Sequence, residues 1–178
     1  HRQGDAPAAA ALLKELAVAL PDEPAVVMTQ ARLLADGKRW ADMQALLAEW
    51  SRVHPQDLTV PSAAASDLAR LPDAEAQGLA EQILRGVLTR QPESVQTLHL
   101  LAQILQQGGR TSDAVEVYRK ILDLDRTNLV AMNNMAWILC EEQDRAQEAV
   151  ALADRGLEIN RDYVDLVDTR GVAYYRLG

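Results

Sequence analysis

The chain has 178 residues, 48% of them apolar, and a net charge of −8 at neutral pH. That apolar share supplies a folded core and excludes a disordered chain, while no apolar run reaches the roughly 18 residues of a membrane span. The acidic balance argues against nucleic-acid backbones and anionic lipid surfaces as ligands, because both need a basic stripe.

Aromatic residues are scarce and Phe is absent, so Ala and Leu carry the core, as in closely packed helices. Fifteen Arg against three Lys, with abundant Ala, is the composition of a GC-rich bacterial genome. Cys140 is the single cysteine, which leaves no disulfide framework and no multi-cysteine metal site.

Apolar residues at three- and four-residue spacing predict ten helices, near 6–20, 24–36, 40–54, 61–71, 74–90, 94–107, 111–124, 128–141, 145–159 and 163–177. Gln3-Gly4-Asp5 reads as a turn before the first of them, and Pro21 closes that helix. Asp73, Ser94, Ser112 and Asn128 are the expected N-caps, their short polar side chains being suited to free helix N–H groups. Gly108-Gly109 reads as a helix-to-helix turn with no strand before it, unlike a phosphate-binding loop.

The segment LHLLAQILQQGGRTSDAVEVYRKILDLD, from Leu98 to Asp125, recurs in pattern as MNNMAWILCEEQDRAQEAVALADRGLEIN, from Met132 to Asn160. A 34-residue period built of two apolar-periodic segments resembles the tetratricopeptide repeat. Leu98, Leu101, Ala102 and Leu105 match that family's first-helix pattern, and Ala114, Tyr118 and Ile121 its second. Met132, Met135, Ala136 and Leu139, then Ala149, Ala153 and Gly156, repeat both. Its one extra residue falls in the turn Glu141–Arg145.

The resemblance implies an all-α fold, a right-handed α-solenoid of stacked antiparallel helix pairs forming one array over 1–178. Residues 1–23 are the second helix of a truncated repeat, 24–57 a repeat, and 61–94 a degenerate one. Residues 95–128 and 129–163 are repeats, and 164–178 is the first helix of another. In the degenerate unit Asp67 stands where a large apolar residue is expected, and Pro72 ends the helix early. Met43 and Trp50 fill places that the family keeps small, and Leu58–Val60 is an insertion. Neither end reads as a polar cap, so a longer bacterial array is expected.

The family holds peptides on the face of its first helices. By helix periodicity that face carries Gln96, His99 and Gln103, then Asn133, Trp137 and Cys140, then Asp165, Asp168, Val172 and Tyr175. Amides can bond a peptide backbone through both donor and acceptor, and aromatic rings are favoured anchors. Trp137 either packs on a neighbouring helix or meets a ligand. Asn134 stands at the place of the family's ligand-holding asparagine, but Leu100 and Thr169 occupy the equivalent places, so there is no asparagine ladder. The cationic clamp for chaperone carboxylates is rejected, since its places hold Gln96, His99, Asp165 and Asp168.

Catalysis finds little support, and no cofactor or metal is expected. His1, His54 and His99 lie in different units. His54, before Pro55, reads as a solvated residue near a helix C-terminus. Cys140 reads as a packed thiol in preference to a nucleophile. Glu141, Glu142 and Asp144 form a solvated charge cluster.

The leading expectation is a non-catalytic scaffold for a peptide or protein partner, with no nucleic-acid ligand and no membrane insertion. One alternative is the substrate-presenting or assembly arm of a larger enzyme or export protein. Another is self-association through the end helices, motivated by Tyr174, Tyr175 and Leu177. Runs such as NNMAW and DTRGVAYYRLG are similar to bacterial multi-repeat proteins of exopolysaccharide export and surface-protein sorting. A soluble bacterial protein is expected, of cytoplasm or periplasm.

Overall fold

The structure, a computed structural model, describes residues 6–141 and 145–178. His1, the turn Gln3-Gly4-Asp5, and Glu142 and Asp144 of the acidic turn lie outside the described residues. Among those described, the regular structure is ten α-helices and no strand. They are α1 (Ala6–Ala19), α2 (Pro24–Asp36), α3 (Trp40–Val53), α4 (Thr59–Ala69), α5 (Ala74–Arg90), α6 (Val95–Gln107), α7 (Thr111–Leu124), α8 (Leu129–Glu141), α9 (Ala146–Ile159) and α10 (Val164–Leu177). The fold class is an all-α solenoid built from antiparallel helix pairs. The chain divides into two compact units, residues 1–90 and 91–178.

In the first unit, α1 packs on α2, α2 on α3 and α4, and α5 on α3 and α4. Pro24 opens α2 in the first turn, where its missing N–H costs no helical bond. Met43 and Trp50 are buried in spite of their size. Trp50 is accommodated because its indole Nε1–H donates to Asp57 Oδ2 at 2.9 Å.

Helix α4 begins two residues earlier than its sequence pattern predicts. Asp57 Oδ1 accepts from Thr59 N at 2.8 Å and Thr59 Oγ1 at 2.5 Å, so the inserted residues Thr59 and Val60 become the first turn. Pro61 then falls among positions whose N–H groups have no intrahelical partner. The helix ends at Ala69 instead of 71, closed by bonds from Arg70 N to Asp67 O and Leu71 N to Leu68 O. Pro72 disfavours helical geometry in the residue before it.

In the second unit, α6 pairs with α7 and α8 with α9, while α7 packs on α8 and α10 on both α8 and α9. Ala102, Ala114, Ala136, Ala149 and Ala153 are fully buried. Their small side chains let helix axes approach to about 8–10 Å. Leu98, Leu105, Tyr118, Ile121, Met132 and Leu139 fill the layers between.

The turns repeat one device. Gly109 has φ 73° and lets Arg110 N reach Leu105 O at 2.8 Å, a left-handed helix cap. In the α2–α3 turn Lys38 takes that role with φ 53°, and Arg39 N reaches Leu34 O at 2.8 Å. A second device fastens helix pairs. Arg90 Nη1 on α5 donates to Pro55 O at 2.9 Å, in the loop before α4. Arg155 Nη2 on α9 donates to Arg126 O at 2.7 Å, in the loop before α8.

Three expected caps make their bonds. Asp73 Oδ1 accepts from Glu75 N and Ala76 N at 3.0 and 3.1 Å, Ser94 Oγ from Thr97 N at 3.3 Å, and Asn128 Oδ1 from Ala131 N at 3.0 Å. Ser112 does not cap: α7 begins at Thr111, so Ser112 lies inside the first turn and Arg110 holds the cap position.

Candidate functional site

The predicted ligand-facing residues of the second unit divide into an open set and an engaged set. Gln96 and Gln103 on α6, Trp137 on α8, and Asp168 and Tyr175 on α10 are exposed. Trp137 retains 43% of its surface although Met132, Met135, Ile138 and Leu139 on the same helix are buried. Tyr175 retains 85%.

His99, Asn133 and Asn134 are half-buried and hydrogen-bonded within the unit. Asn134 Nδ2 donates to Tyr118 Oη at 3.2 Å, and Asn133 Oδ1 accepts from Thr169 Oγ1 at 2.8 Å. The two amides touch each other, Asn133 Nδ2 to Asn134 Oδ1 at 3.5 Å. These bonds tie α8 to α7 on one side and to α10 on the other. Thr169 thus serves as the partner of Asn133 instead of repeating the asparagine.

His99 has a fixed role. Asn128 gives its Nδ2–H to Asp125 Oδ2 at 3.0 Å and receives Ala131 N–H on Oδ1. With the amide so oriented, His99 Nε2, 3.1 Å from Asn128 Oδ1, must be the donor. The His99 ring meets Tyr118 edge-on, centroids 6.1 Å apart. Hydrogen bonds from Thr127 and Asn128 hold the Asp125 carboxyl below its ordinary pKa. Burial pushes the Tyr118 phenol up, against a smaller opposing effect of the Asn134 bond.

Cys140, placed by periodicity on the ligand-facing side, is fully buried, and its thiol points at Thr169 O at 3.8 Å. The packing of α10 against α8 covers it. Burial first, and then the Glu141 carboxylate, push its pKa up, so the thiolate that a nucleophile needs is disfavoured. His54 is not the freely solvated residue that its place before Pro55 suggests. Its ring lies 4.0 Å from that of Trp50, and its Nε2 is 3.0 Å from Asp22 Oδ1. Among the described residues, no three His, Cys, Asp or Glu side chains are placed to hold a metal ion. No helix among them is long and apolar enough to cross a membrane.

The sequence reading missed a cleft in the first unit. It lies between α2 and α4, has a volume of about 350 Å³, and is lined by Met28, Ala31, Arg32, Met43, Ala64, Asp67 and Leu68 among others. Asp67, conspicuous in sequence as a carboxylate at an apolar place, was the signal that could have located it.

Residues 95–128 match the sequence model of the tetratricopeptide repeat. Residues 95–128 are a tetratricopeptide repeat. The matched residues are the α6–α7 pair with its flanking turns, and comparison with solved structures extends the fold beyond it. A tetratricopeptide repeat protein from Parabacteroides merdae superposes with a TM-score of 0.70 at 14% identity, covering 87% of this chain and 60% of that one. A crystal structure of MamA gives 0.67 at 10% identity over 87% and 82% of the two chains. A MamA fragment from Desulfovibrio magneticus RS-1 gives 0.58 at 17% identity over 91% and 89%. At such identities the likeness is one of fold. No curated protein matches the chain in sequence. The likeness extends the helix-pair architecture of residues 95–128 over most of the chain.

Proposed function

We propose that the tetratricopeptide face formed by α6, α8 and α10 holds a protein or peptide partner, with Trp137 as its apolar anchor and the exposed Gln96, Gln103 and Asp168 as polar contacts. The observation that carries this reading is the 43% exposure of Trp137 in the middle of a helix whose Met132, Met135, Ile138 and Leu139 are buried. An indole presents a large contact area with little rotamer entropy to lose, which suits it to an interface centre. His99, Asn133 and Asn134 then act behind the surface, keeping α8 in register with its neighbours through the bonds they make to Asn128, Thr169 and Tyr118.

The test uses the chain and its Trp137→Ala/Tyr175→Ala variant as paired baits for cross-linked capture from a bacterial extract, with thermal melts of both. A protein held by the first bait and lost with the second, at unchanged melting behaviour, supports the reading. Identical captures by both baits overturn it.

A second reading is favoured by α10, where Val164, Val167, Tyr174, Tyr175 and Leu177 are all exposed. Such an apolar face suits self-association. Sedimentation of the chain against a Tyr174→Ser/Leu177→Ser variant tests it, and a monomer at high concentration for both removes it.

A further inference from the structure

The 34-residue register places Asp67 where the second unit has Leu101 and Met135. Those two side chains are 3% and 7% exposed and fill the layer between helices. Asp67 cannot fill it. Its carboxylate turns to the rim and meets Arg32, Nε to Oδ2 at 2.9 Å, and the cleft of about 350 Å³ lies beneath. The floor is Ala31, Met43, Ala64 and Leu68, all buried, and Met28 forms a wall.

We propose that this cleft is a pocket for a peptide segment presenting a leucine- or methionine-sized side chain beside a lysine or arginine. The size follows from the internal repeat: the cleft takes the kind of side chain that Leu101 and Met135 supply elsewhere. Its volume lies at the lower end of ligand pockets, about 300–1,000 Å³. Met28 and Met43 give adaptable surfaces that close around branched or unbranched aliphatic groups.

The basic neighbour follows from charge. Asp36 on the rim makes no ion pair among the described residues, whereas Asp67 is held by two exposed pairs of the kind that contributes little, to Arg32 at 2.9 Å and to Arg70 at 3.9 Å. Asp36 is therefore the carboxylate that an incoming cation takes. The chain's net charge of −8 attracts basic segments and repels acidic ones. This pocket is separate from the Trp137 face and uses none of its residues.

The test is a methyl-region NMR titration of the whole chain, ¹³C-labelled at its four methionines. Met28 and Met43 line the cleft, and the buried Met132 and Met135 of the second unit are built-in controls. The probe is the blocked peptide Gly-Ser-Leu-Arg-Ser-Gly, with Ala for Leu and Glu for Arg as comparators. Saturable shifts are expected at Met28 and Met43 and not at the other two. They vanish with the Ala peptide, and binding weakens about fivefold with the Glu peptide or in Asp36→Asn, the loss expected for one exposed ion pair. Asp67→Leu fills the cleft and abolishes the shifts. Asp36→Asn changes an exposed rim residue and serves even if Asp67→Leu fails to fold. The proposal is overturned by absent shifts, by equal shifts at all four methionines, by equal affinity for the Glu peptide, or by shifts that persist in a folded Asp67→Leu variant.

Discussion

Gly156 of α9 lies against Leu166 of α10 so closely that a Cβ added at Gly156 would overlap Leu166 Cδ1 and press on Met132 Sδ at 3.2 Å. The glycine is what lets α9, α8 and α10 share one layer. Leu166 and Met132 are both fully buried and cannot swing into solvent. Gly156→Ala therefore destabilises by about 1–3 kcal/mol, the cost of overpacking, although Ala is the better helix former. Gly86 on α5 is the contrast, because a Cβ there meets nothing within 4 Å. Gly86→Ala stabilises by up to about 1 kcal/mol. Urea unfolding of the two variants, read by circular dichroism, checks the opposite signs.

Lys38 bears a left-handed backbone in the place where the equivalent turn has Gly109. L-residues adopt that conformation at a cost that glycine avoids. Lys38 also donates to Asp73 Oδ2 at 2.7 Å, an exposed bond that the variant gives up. Backbone relief outweighs an exposed pair, so Lys38→Gly raises the melting temperature, by about 2–4 °C for a chain of this size. A fall in Tm would show that the Asp73 bond dominates.

The stacked pair Trp50–His54 gives an optical reporter. The His54 ring lies 4.0 Å from that of Trp50, whose indole N–H donates to Asp57 at 2.9 Å. In a Trp40→Phe/Trp137→Phe background, emission reports Trp50 alone. Removing the imidazole in His54→Ala opens the indole to water and moves its emission to longer wavelength. An unchanged emission maximum in that variant would refute the packing role of His54.

Acid sensitivity follows from carboxylates held below their ordinary pKa. For Asp57, burial pushes upward, but hydrogen bonds from Thr59 and Trp50 outweigh it. For Asp125, Thr127 and Asn128 do the lowering. The unfolded state takes up each proton first, at about pH 3.9. The stability that these groups supply is complete above that value and is lost as pH falls through the depressed folded pKa. Asp57→Asn and Asp125→Asn should each make stability less steeply dependent on pH below about 4. Unfolding curves collected at closely spaced acid pH values measure that slope.

Helix positions were legible because Leu, Ala and Met recur at helical spacing, and because Asp73, Ser94 and Asn128 announce helix starts by side chains that accept free N–H groups. The α4 boundary was not, because it depends on one local turn, the bonds from Thr59 to Asp57, which outranks the apolar pattern. At the candidate site, periodicity told which residues share a side of a helix. It could not tell which were already occupied. Thr169 is 36 positions from Asn133, and Asn128 is 29 from His99. Partners at such separations come together only through helix stacking. Cys140 shows the same limit: its angular position suggested an open surface, and α10 lies over it.

The two arginine bonds to backbone oxygens, Arg90 to Pro55 and Arg155 to Arg126, bear on how such a chain can be recombined. In each case the fastening joins the second helix of a pair to the loop ahead of its first helix, so it encloses the pair like a clasp. A graft cut at the first residue of α4 or α8 would sever the clasp and leave the arginine without its acceptor. A cassette that begins before Pro55 or before Arg126 carries the fastening whole, and is the natural unit for exchange between arrays.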